Sequence, residues 1–233
     1  MWLLNSSVGR KLIMSVSGIF LILFLLFHLS MNVAAVFSGE AYNMICSLLG
    51  ANWYAVAATL VLAAGVVIHF AYALILTMQN RKARGNDRYA INKRPKGVEW
   101  ASQNMFVLGV VILLFMLLHF SQFWYKMMFA ELMGNHMVTL CDGTTSLSPQ
   151  DGAGFINYYF QGNLLVTVLY LVWYVALWFH MTHGFWSAIQ TIGWNNTIWL
   201  KRWECISNIV ATAICGIFAI ITVIFYLKGV GGC

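Results

Sequence analysis

Five apolar segments, each long enough to cross a bilayer, constrain the fold of this chain more than any other feature. They span about residues 12–37, 53–79, 101–126, 163–190 and 205–227. A membrane-spanning helix needs roughly 20 mostly apolar residues, and in lipid only helices and closed barrels satisfy every backbone polar group. Because 61% of the residues are hydrophobic and only 9% are charged, charge cannot cover a water-facing surface. The sequence therefore predicts an all-α integral membrane protein of five helices, with residues 1–233 forming a single membrane domain.

The basic residues lie almost entirely on one side of these segments. Eleven of the thirteen Lys and Arg residues precede the first segment or follow the second and the fourth, most of them in the basic loop 80–100. The positive-inside rule places such residues in the cytoplasm, so we predict a cytoplasmic N-terminus and an outer loop at 127–162. This distribution explains the net charge of +6 without a nucleic-acid partner, and it suits anionic lipid headgroups or a soluble partner.

Four histidines lie inside four of the apolar segments, at depths that alternate. Counted at about 1.5 Å per residue from the start of each segment, His28 and His119 fall in the outer half of the membrane, and His69 and His180 in the inner half. Two histidines on facing helices can ligate one haem iron from both sides. We therefore predict that the first four segments form a bundle with an outer haem on His28 and His119 and an inner haem on His69 and His180. Iron with two histidine ligands has no open position for oxygen, so electron transfer is the predicted role.

Other uses of intramembrane histidines remain open at this point. A single histidine can simply hydrogen-bond to a carbonyl of a neighbouring helix, and proton relays and metal transporters also contain buried histidines. Such relays and transporters usually add intramembrane carboxylates, whereas Glu99, Glu131 and Glu204 all lie at segment ends. The chain has no Cys-x-x-Cys-His motif for covalent haem attachment, so the predicted haems are bound non-covalently.

The residues around these histidines form four motifs that occur in order along the chain. They read GRKLIMSVSGIFLILFLLFHLSMN with Ser15 and Gly18 ahead of His28, VVIHFAYALIL around His69, FMLLHFSQFW around His119, and FHMTHGFWSAIQTIGW from Phe179. In these motifs residues 8–227 resemble the dihaem cytochrome b membrane anchor of succinate dehydrogenase and fumarate reductase, in its single-subunit, five-helix form.

The resemblance implies a function in a larger complex of the bacterial inner membrane. In such a complex the anchor carries two b haems that pass electrons between an iron–sulfur subunit and a quinone such as menaquinone. The iron–sulfur subunit and a flavoprotein subunit would dock on the cytoplasmic face, and a dimer of the heterotrimer is an assembly that the resemblance allows. The chain itself has no flavin fingerprint and no cysteine cluster for iron–sulfur centres, so we expect no dicarboxylate catalytic site of its own.

The fourth segment contains two histidines, His180 and His183, which share a helix face. In the family pattern the ligand precedes one glycine by four residues and a second by thirteen, so Gly184 and Gly193 indicate His180. His183 is then the alternative ligand, or a group near a haem propionate. Trp178 stands where some family members carry a glutamate associated with transmembrane proton movement, so we do not expect that route here.

The resemblance also implies partners for the haem propionates and for the quinone. Ser15 occupies a position that lies near the propionates of the inner haem in relatives. The remaining candidate propionate partners are Arg10, Lys11, Arg81 and His183. The three cations are equally well explained as ordinary residues of the positive-inside side. We expect the quinone near the outer haem, where the polar side chains are those of Glu40, Gln122 and Lys126.

Two rival functions share part of this pattern. A dihaem cytochrome b subunit of a hydrogenase or a formate dehydrogenase would use the same histidine pairs with a different soluble partner. A membrane transporter without haem would use the buried histidines in another way.

Overall fold

The computed structural model of the protein describes residues 6–84 and 100–230, and helices make up 83% of it. In chain order the elements are α1 (Ser7–Phe37), α2 (Gly39–Leu48), α3 (Trp53–Arg84), α4 (Trp100–His119), the π-helix π1 (Phe120–Phe129), α5 (Ala130–Leu132), β1 (Val138–Thr139), β2 (Ser146–Leu147), α6 (Gly152–Phe160), α7 (Leu164–Thr191) and α8 (Trp199–Val230).

The five predicted membrane-spanning helices are confirmed among the described residues by length and apolar composition. They are α1, α3, the continuous run Trp100–Leu132, α7 and α8. Several extend beyond the apolar segments that predicted them, because capped helix ends continue into polar sequence. The Ser6 hydroxyl accepts a hydrogen bond from the Gly9 amide (3.0 Å) at the start of α1, and the Asn196 side chain accepts one from the Trp199 amide (2.8 Å) at the start of α8. Residues 85–99 of the predicted basic loop lie outside the described residues.

The predicted outer loop, residues 127–162, contains regular structure. The run of helix from α4 continues to Leu132, and β1 pairs with β2 in an antiparallel hairpin. Helix α6 follows, with Asp151 capping it through the Gly154 amide (3.0 Å). Asn43 of α2 donates to the same carboxylate (2.7 Å) and accepts from the Ala153 amide (2.8 Å). These bonds join α2 to the start of α6, because the side chains of Asn43 and Asp151 satisfy each other and the free amides at the start of α6.

The chain divides into two compact units. The first unit contains the described residues of Met1–Phe24, Leu62–Val111 and Ala176–Ala213, and the second those of Leu25–Val61, Ile112–Val175 and Ile214–Cys233. The histidines are distributed so that His69 and His180 belong to the first unit and His28 and His119 to the second.

Small and hydroxyl-bearing residues join the helices inside the first unit. A Cβ atom at Gly65 of α3 would lie 2.7 Å from Cε1 of Phe20 in α1, so a larger residue would force the Phe20 ring to shift. Ser207 of α8 is fully buried, and its hydroxyl donates to the main-chain carbonyl of Thr182 in α7 (3.0 Å). Close packing of this kind, together with interhelical hydrogen bonds, holds helices together where lipid gives little hydrophobic driving force.

Candidate functional site

Each of the four histidines lies beside the partner that the depth calculation assigns to it. The ring centres of His69 and His180 are 6.2 Å apart with planes at 67°, and those of His28 and His119 are 5.9 Å apart with planes at 83°. The two residues of each pair come from different helices, and each pair lies within one compact unit. Each pair is a candidate site within its own unit.

The ring separations fit a single metal ion held between two imidazoles. A bond of about 2 Å from metal to nitrogen, and about 1.2 Å from that nitrogen to the ring centre, would put the centres of two opposed imidazoles about 6.4 Å apart. Both observed separations are close to this value. The angle between the planes does not affect the fit, because each ring can rotate about its own bond to the metal.

Hydrogen bonds assign the tautomer of His69. The Ser17 hydroxyl donates to the Met14 carbonyl (3.0 Å) and lies 3.1 Å from Nδ1 of His69. Because the single hydroxyl proton of Ser17 is already donated, its oxygen accepts the proton of Nδ1. Nε2 then carries a lone pair. Metal-ligating histidines typically hold their second ring nitrogen in this way.

The same reasoning assigns the tautomer of His119. Tyr170 is buried, and its hydroxyl donates to Oε1 of Gln122 (2.6 Å). The hydroxyl oxygen lies 3.3 Å from Nδ1 of His119 and therefore accepts its proton. Nε2 of His119 is left with a lone pair for a metal. Gln122 is in the first turn of π1, directly after the histidine, and π-helical segments occur frequently at functional sites.

Asn32 supports His28 from the next turn of α1. Its amide nitrogen donates to the main-chain carbonyl of His28 (2.8 Å) and lies 3.4 Å from Nε2 of the ring. Its amide oxygen accepts from the hydroxyl of Tyr42 in α2 (3.3 Å). Burial raises the pKa of Tyr42, so this hydroxyl stays protonated and remains a donor. The Phe218 ring of α8 lies 5.8 Å from the ring of His28 on another side.

His180 has a buried nitrogen that the described residues do not satisfy. Its Nδ1 has no hydrogen-bond partner there, and a buried polar atom without a partner costs roughly 1–3 kcal/mol. Glycines face the rings of this pair: a Cβ atom at Gly109 would lie 3.8 Å from Cε1 of His180, and one at Gly18 would lie 3.2 Å from Cε1 of His69. An orphan imidazole nitrogen and glycines beside the rings are features of a site built around a bound group.

These features fit haem better than a bare metal ion. Among residues 6–84 and 100–230 no group of three or more His, Cys, Asp or Glu side chains is placed to hold a metal ion. A haem brings its own four equatorial nitrogens and needs only two axial ligands from the protein. Two histidine pairs of suitable separation supply that number twice.

His183 differs from His180 in what it contacts. Its ring meets the Trp186 ring edge-on at 5.0 Å, whereas the ring beside His69 is that of His180. The geometry therefore favours His180 as the ligand on α7, and His183 stays a candidate for an auxiliary role.

The structure gives the predicted propionate partners different surroundings. Ser15 is buried, but the serine that contacts His69 is Ser17, two residues further along α1. Arg81 places its guanidinium 5.4 Å from the centre of the Phe106 ring. Arg10 is partly buried and Lys11 is exposed, both in the first turns of α1. Their role at a propionate stays a prediction.

The structure gives the three predicted quinone residues different surroundings. Glu40 is exposed in the first turn of α2, and Gln122 is buried against Tyr170. Lys126 lines a cleft of about 250 Å³. The other residues of this cleft are Tyr125, Phe129, Ala130, Asn135, Met137, Val138 and Thr139.

Comparisons with protein-family models, with curated proteins and with solved structures find no match for this chain. The sequence interpretation missed three polar residues that contact the paired histidines: Ser17, Asn32 and Tyr170. Each is a polar residue within an otherwise apolar helix, and Asn32 is one turn from His28. A search for polar side chains near the depth of each histidine would have selected all three.

Proposed function

We propose that this chain is a dihaem cytochrome b of the bacterial inner membrane, with its N-terminus in the cytoplasm. In this proposal it is the anchor and electron-transfer subunit of a succinate:quinone oxidoreductase or quinol:fumarate reductase. The observation that carries the proposal is the pairing of four mid-helix histidines into two sets with ring separations of 5.9 and 6.2 Å.

The two histidine pairs would hold the two haems. Bound haem would supply one-electron transfer. Ser17 and Tyr170 accept the Nδ1 protons of His69 and His119, and so present the Nε2 lone pairs. Aromatic rings surround His119 and exclude water from it: Phe123 lies 5.1 Å away and Trp173 5.7 Å away, centre to centre.

The cleft beside Lys126 is the candidate place for the quinone headgroup. Its volume of about 250 Å³ is slightly below the range of roughly 300–1,000 Å³ that is usual for small-molecule sites, and suits a single ring. The Lys126 ammonium and the amide of Asn135 would hydrogen-bond to quinone oxygens, while Phe129 and Met137 contact the apolar part. The positive charge of Lys126 favours the reduced, more negative forms of such a ring.

Soluble partner subunits would carry out the reaction of succinate and fumarate. An iron–sulfur subunit would dock on the basic cytoplasmic face and exchange electrons with the haem of His69 and His180, and a flavoprotein subunit would convert succinate and fumarate. The haem of His28 and His119 would exchange electrons with the quinone. A dimer of this heterotrimer is compatible with the proposal.

An optical spectrum of the purified protein tests the proposal directly. We expect two b haems per chain. His28→Ala and His119→Ala should each remove the same haem, and His69→Ala and His180→Ala the other. His136→Ala is the matched control, because His136 is an exposed residue of the outer loop, and this variant should retain both haems.

Three results would contradict parts of the proposal. A folded but colourless wild-type protein would contradict haem binding and favour a transporter without haem. A single-histidine variant that loses both haems, or neither, would contradict the pairing. Co-purification of a nickel or molybdenum subunit, instead of a flavoprotein, would keep the dihaem cytochrome and change the enzyme to a hydrogenase or a formate dehydrogenase.

A further inference from the structure

The two histidine pairs differ in what receives the Nδ1 proton. His69 donates to Ser17, and the Ser17 hydroxyl in turn donates to a main-chain carbonyl of its own helix. His119 donates to a tyrosine on another helix, and that tyrosine donates to the side-chain amide of Gln122. The hydrogen bonds that begin at His119 therefore run only through side chains, first that of Tyr170 and then that of Gln122.

Proton counting gives each bond of this chain a direction. Tyr170 has one proton, and its shorter bond of 2.6 Å runs to Oε1 of Gln122, which is an acceptor. The bond of 3.3 Å between the Tyr170 hydroxyl and Nδ1 of His119 must then be donated by the imidazole. Gln122 thus keeps the tyrosine oxygen turned toward His119 as an acceptor.

We propose that Tyr170, oriented by Gln122, is a positioning residue that fixes the tautomer of His119 and lowers the reduction potential of the iron that His119 binds. This inference rests on the proposed dihaem function. A histidine that donates its second proton to a good acceptor is a more basic ligand, and a more basic ligand stabilises the ferric state more than the ferrous state. Hydrogen bonds around the axial ligands are among the means by which a protein sets a haem potential.

Redox titration of the Tyr170→Phe variant, followed in the visible spectrum, tests the proposal. The phenylalanine retains the ring and removes the acceptor, so the midpoint of the haem that His119→Ala eliminates should rise. We expect the ratio of reduced to oxidised haem at a fixed potential to increase severalfold to tenfold, where tenfold corresponds to 59 mV for one electron. The haem of His69 and His180 should titrate as in the wild type.

Tyr174→Phe is the matched control. Tyr174 is one turn further along α7 and is also buried, but its hydroxyl bonds to Oγ1 of Thr222 (3.1 Å). This variant loses one tyrosine hydroxyl at a similar position and should leave both midpoints unchanged. A second variant, Gln122→Leu, removes the acceptor that orients Tyr170, and should shift the same haem in the same direction by a smaller amount.

The outcomes separate this inference from the proposed function. If the wild type binds two haems and Tyr170→Phe leaves both midpoints in place, the positioning role is wrong while the dihaem function stands. An equal shift in Tyr174→Phe would also overturn the positioning role, since any buried hydroxyl would then have the same effect. A wild type without haem would overturn both.

Discussion

Gly18 gives the sharpest test of the geometry around His69. A Cβ atom at this position would lie 3.2 Å from Cε1 of His69 and 3.6 Å from Nδ1. The first distance is shorter than ordinary van der Waals contact between carbon atoms. Gly18→Ala would therefore push the imidazole aside by a few tenths of an ångström, away from Ser17 and from its place opposite His180.

The size of the effect follows from two opposing terms. Replacing glycine by alanine inside a helix stabilises by roughly 0.5–1 kcal/mol, whereas overpacking a well-packed site costs about 1–3 kcal/mol. Gly216→Ala in α8 is the matched control, because nothing lies within 4 Å of a Cβ atom there and only the first term applies. Gly18→Ala should therefore be less stable than Gly216→Ala by about 1–3 kcal/mol.

Haem binding should weaken together with stability. Metal sites tolerate ligand displacements of about 0.2 Å, so a shift of the His69 ring by a few tenths of an ångström would weaken the haem of His69 and His180. A loss of 1–3 kcal/mol in binding corresponds to a decrease of about 5- to 150-fold in affinity. Haem titration of the purified variants, together with their thermal unfolding, measures both quantities.

The reasoning about His69 has a clear refutation. If Gly18→Ala retains both haems with wild-type affinity and unfolds like Gly216→Ala, then Gly18 is not required by the imidazole. A loss of the haem of His28 and His119 instead would show that the pairing of histidines is wrong.

Three further predictions concern other parts of the chain. His180→Ala should remove one haem while His183→Ala retains both, because the ring beside His69 is that of His180; haem content of the two variants checks this, and the reverse pattern would make His183 the ligand. At pH 8 a membrane-impermeant maleimide added from outside should label exposed Cys141 within minutes and leave Cys46 unmodified. Burial raises the pKa of the Cys46 thiol to about 11, so only about one Cys46 thiol in a thousand is ionised at this pH. Labelling of Cys141 only from the cytoplasmic side would reverse the proposed orientation. Hydrogen bonds from Thr145 and Thr144 lower the pKa of Asp142 to about 2. The stabilisation of this turn by the carboxylate is therefore complete above about pH 4 and is lost as the pH falls from about 4 to about 2. Hydrogen exchange of the Thr144 and Thr145 amides, which donate to this carboxylate, should show the loss in the wild type and no such pH dependence in Asp142→Asn.

The sequence predicted the membrane-spanning helices well, and it missed much of the connecting structure. Long apolar runs predict spans because each backbone group in lipid must be satisfied within its own helix. The ends were predicted less well: α1 begins at Ser7 instead of near residue 12, and α8 begins at Trp199 instead of near 205. The capping side chains of Ser6 and Asn196 lie in polar sequence, and hydropathy does not predict where a helix begins in such sequence.

The depth of each histidine followed from the sequence, but its neighbours did not. A rise of about 1.5 Å per residue is enough to match His69 with His180 and His28 with His119 in depth. It does not say which side of each helix faces the partner. Only the structure shows that Ser17 of α1 faces His69; the role of Ser15 at a propionate stays a prediction.

What the sequence alone determined was the number of candidate spanning helices and the positions of four imidazoles along them, because both depend only on the order of residues within single helices. The tertiary structure decided which side chains meet: Tyr170 with His119, Gly18 with His69, and Lys126 with the walls of its cleft. These contacts depend on how each helix is rotated about its axis, and that rotation is set by the packing of all the helices together. The π-helical segment after His119 was also decided by the tertiary structure. Gln122 lies in this segment and contacts Tyr170, and the sequence pattern did not predict the change from α-helix to π-helix.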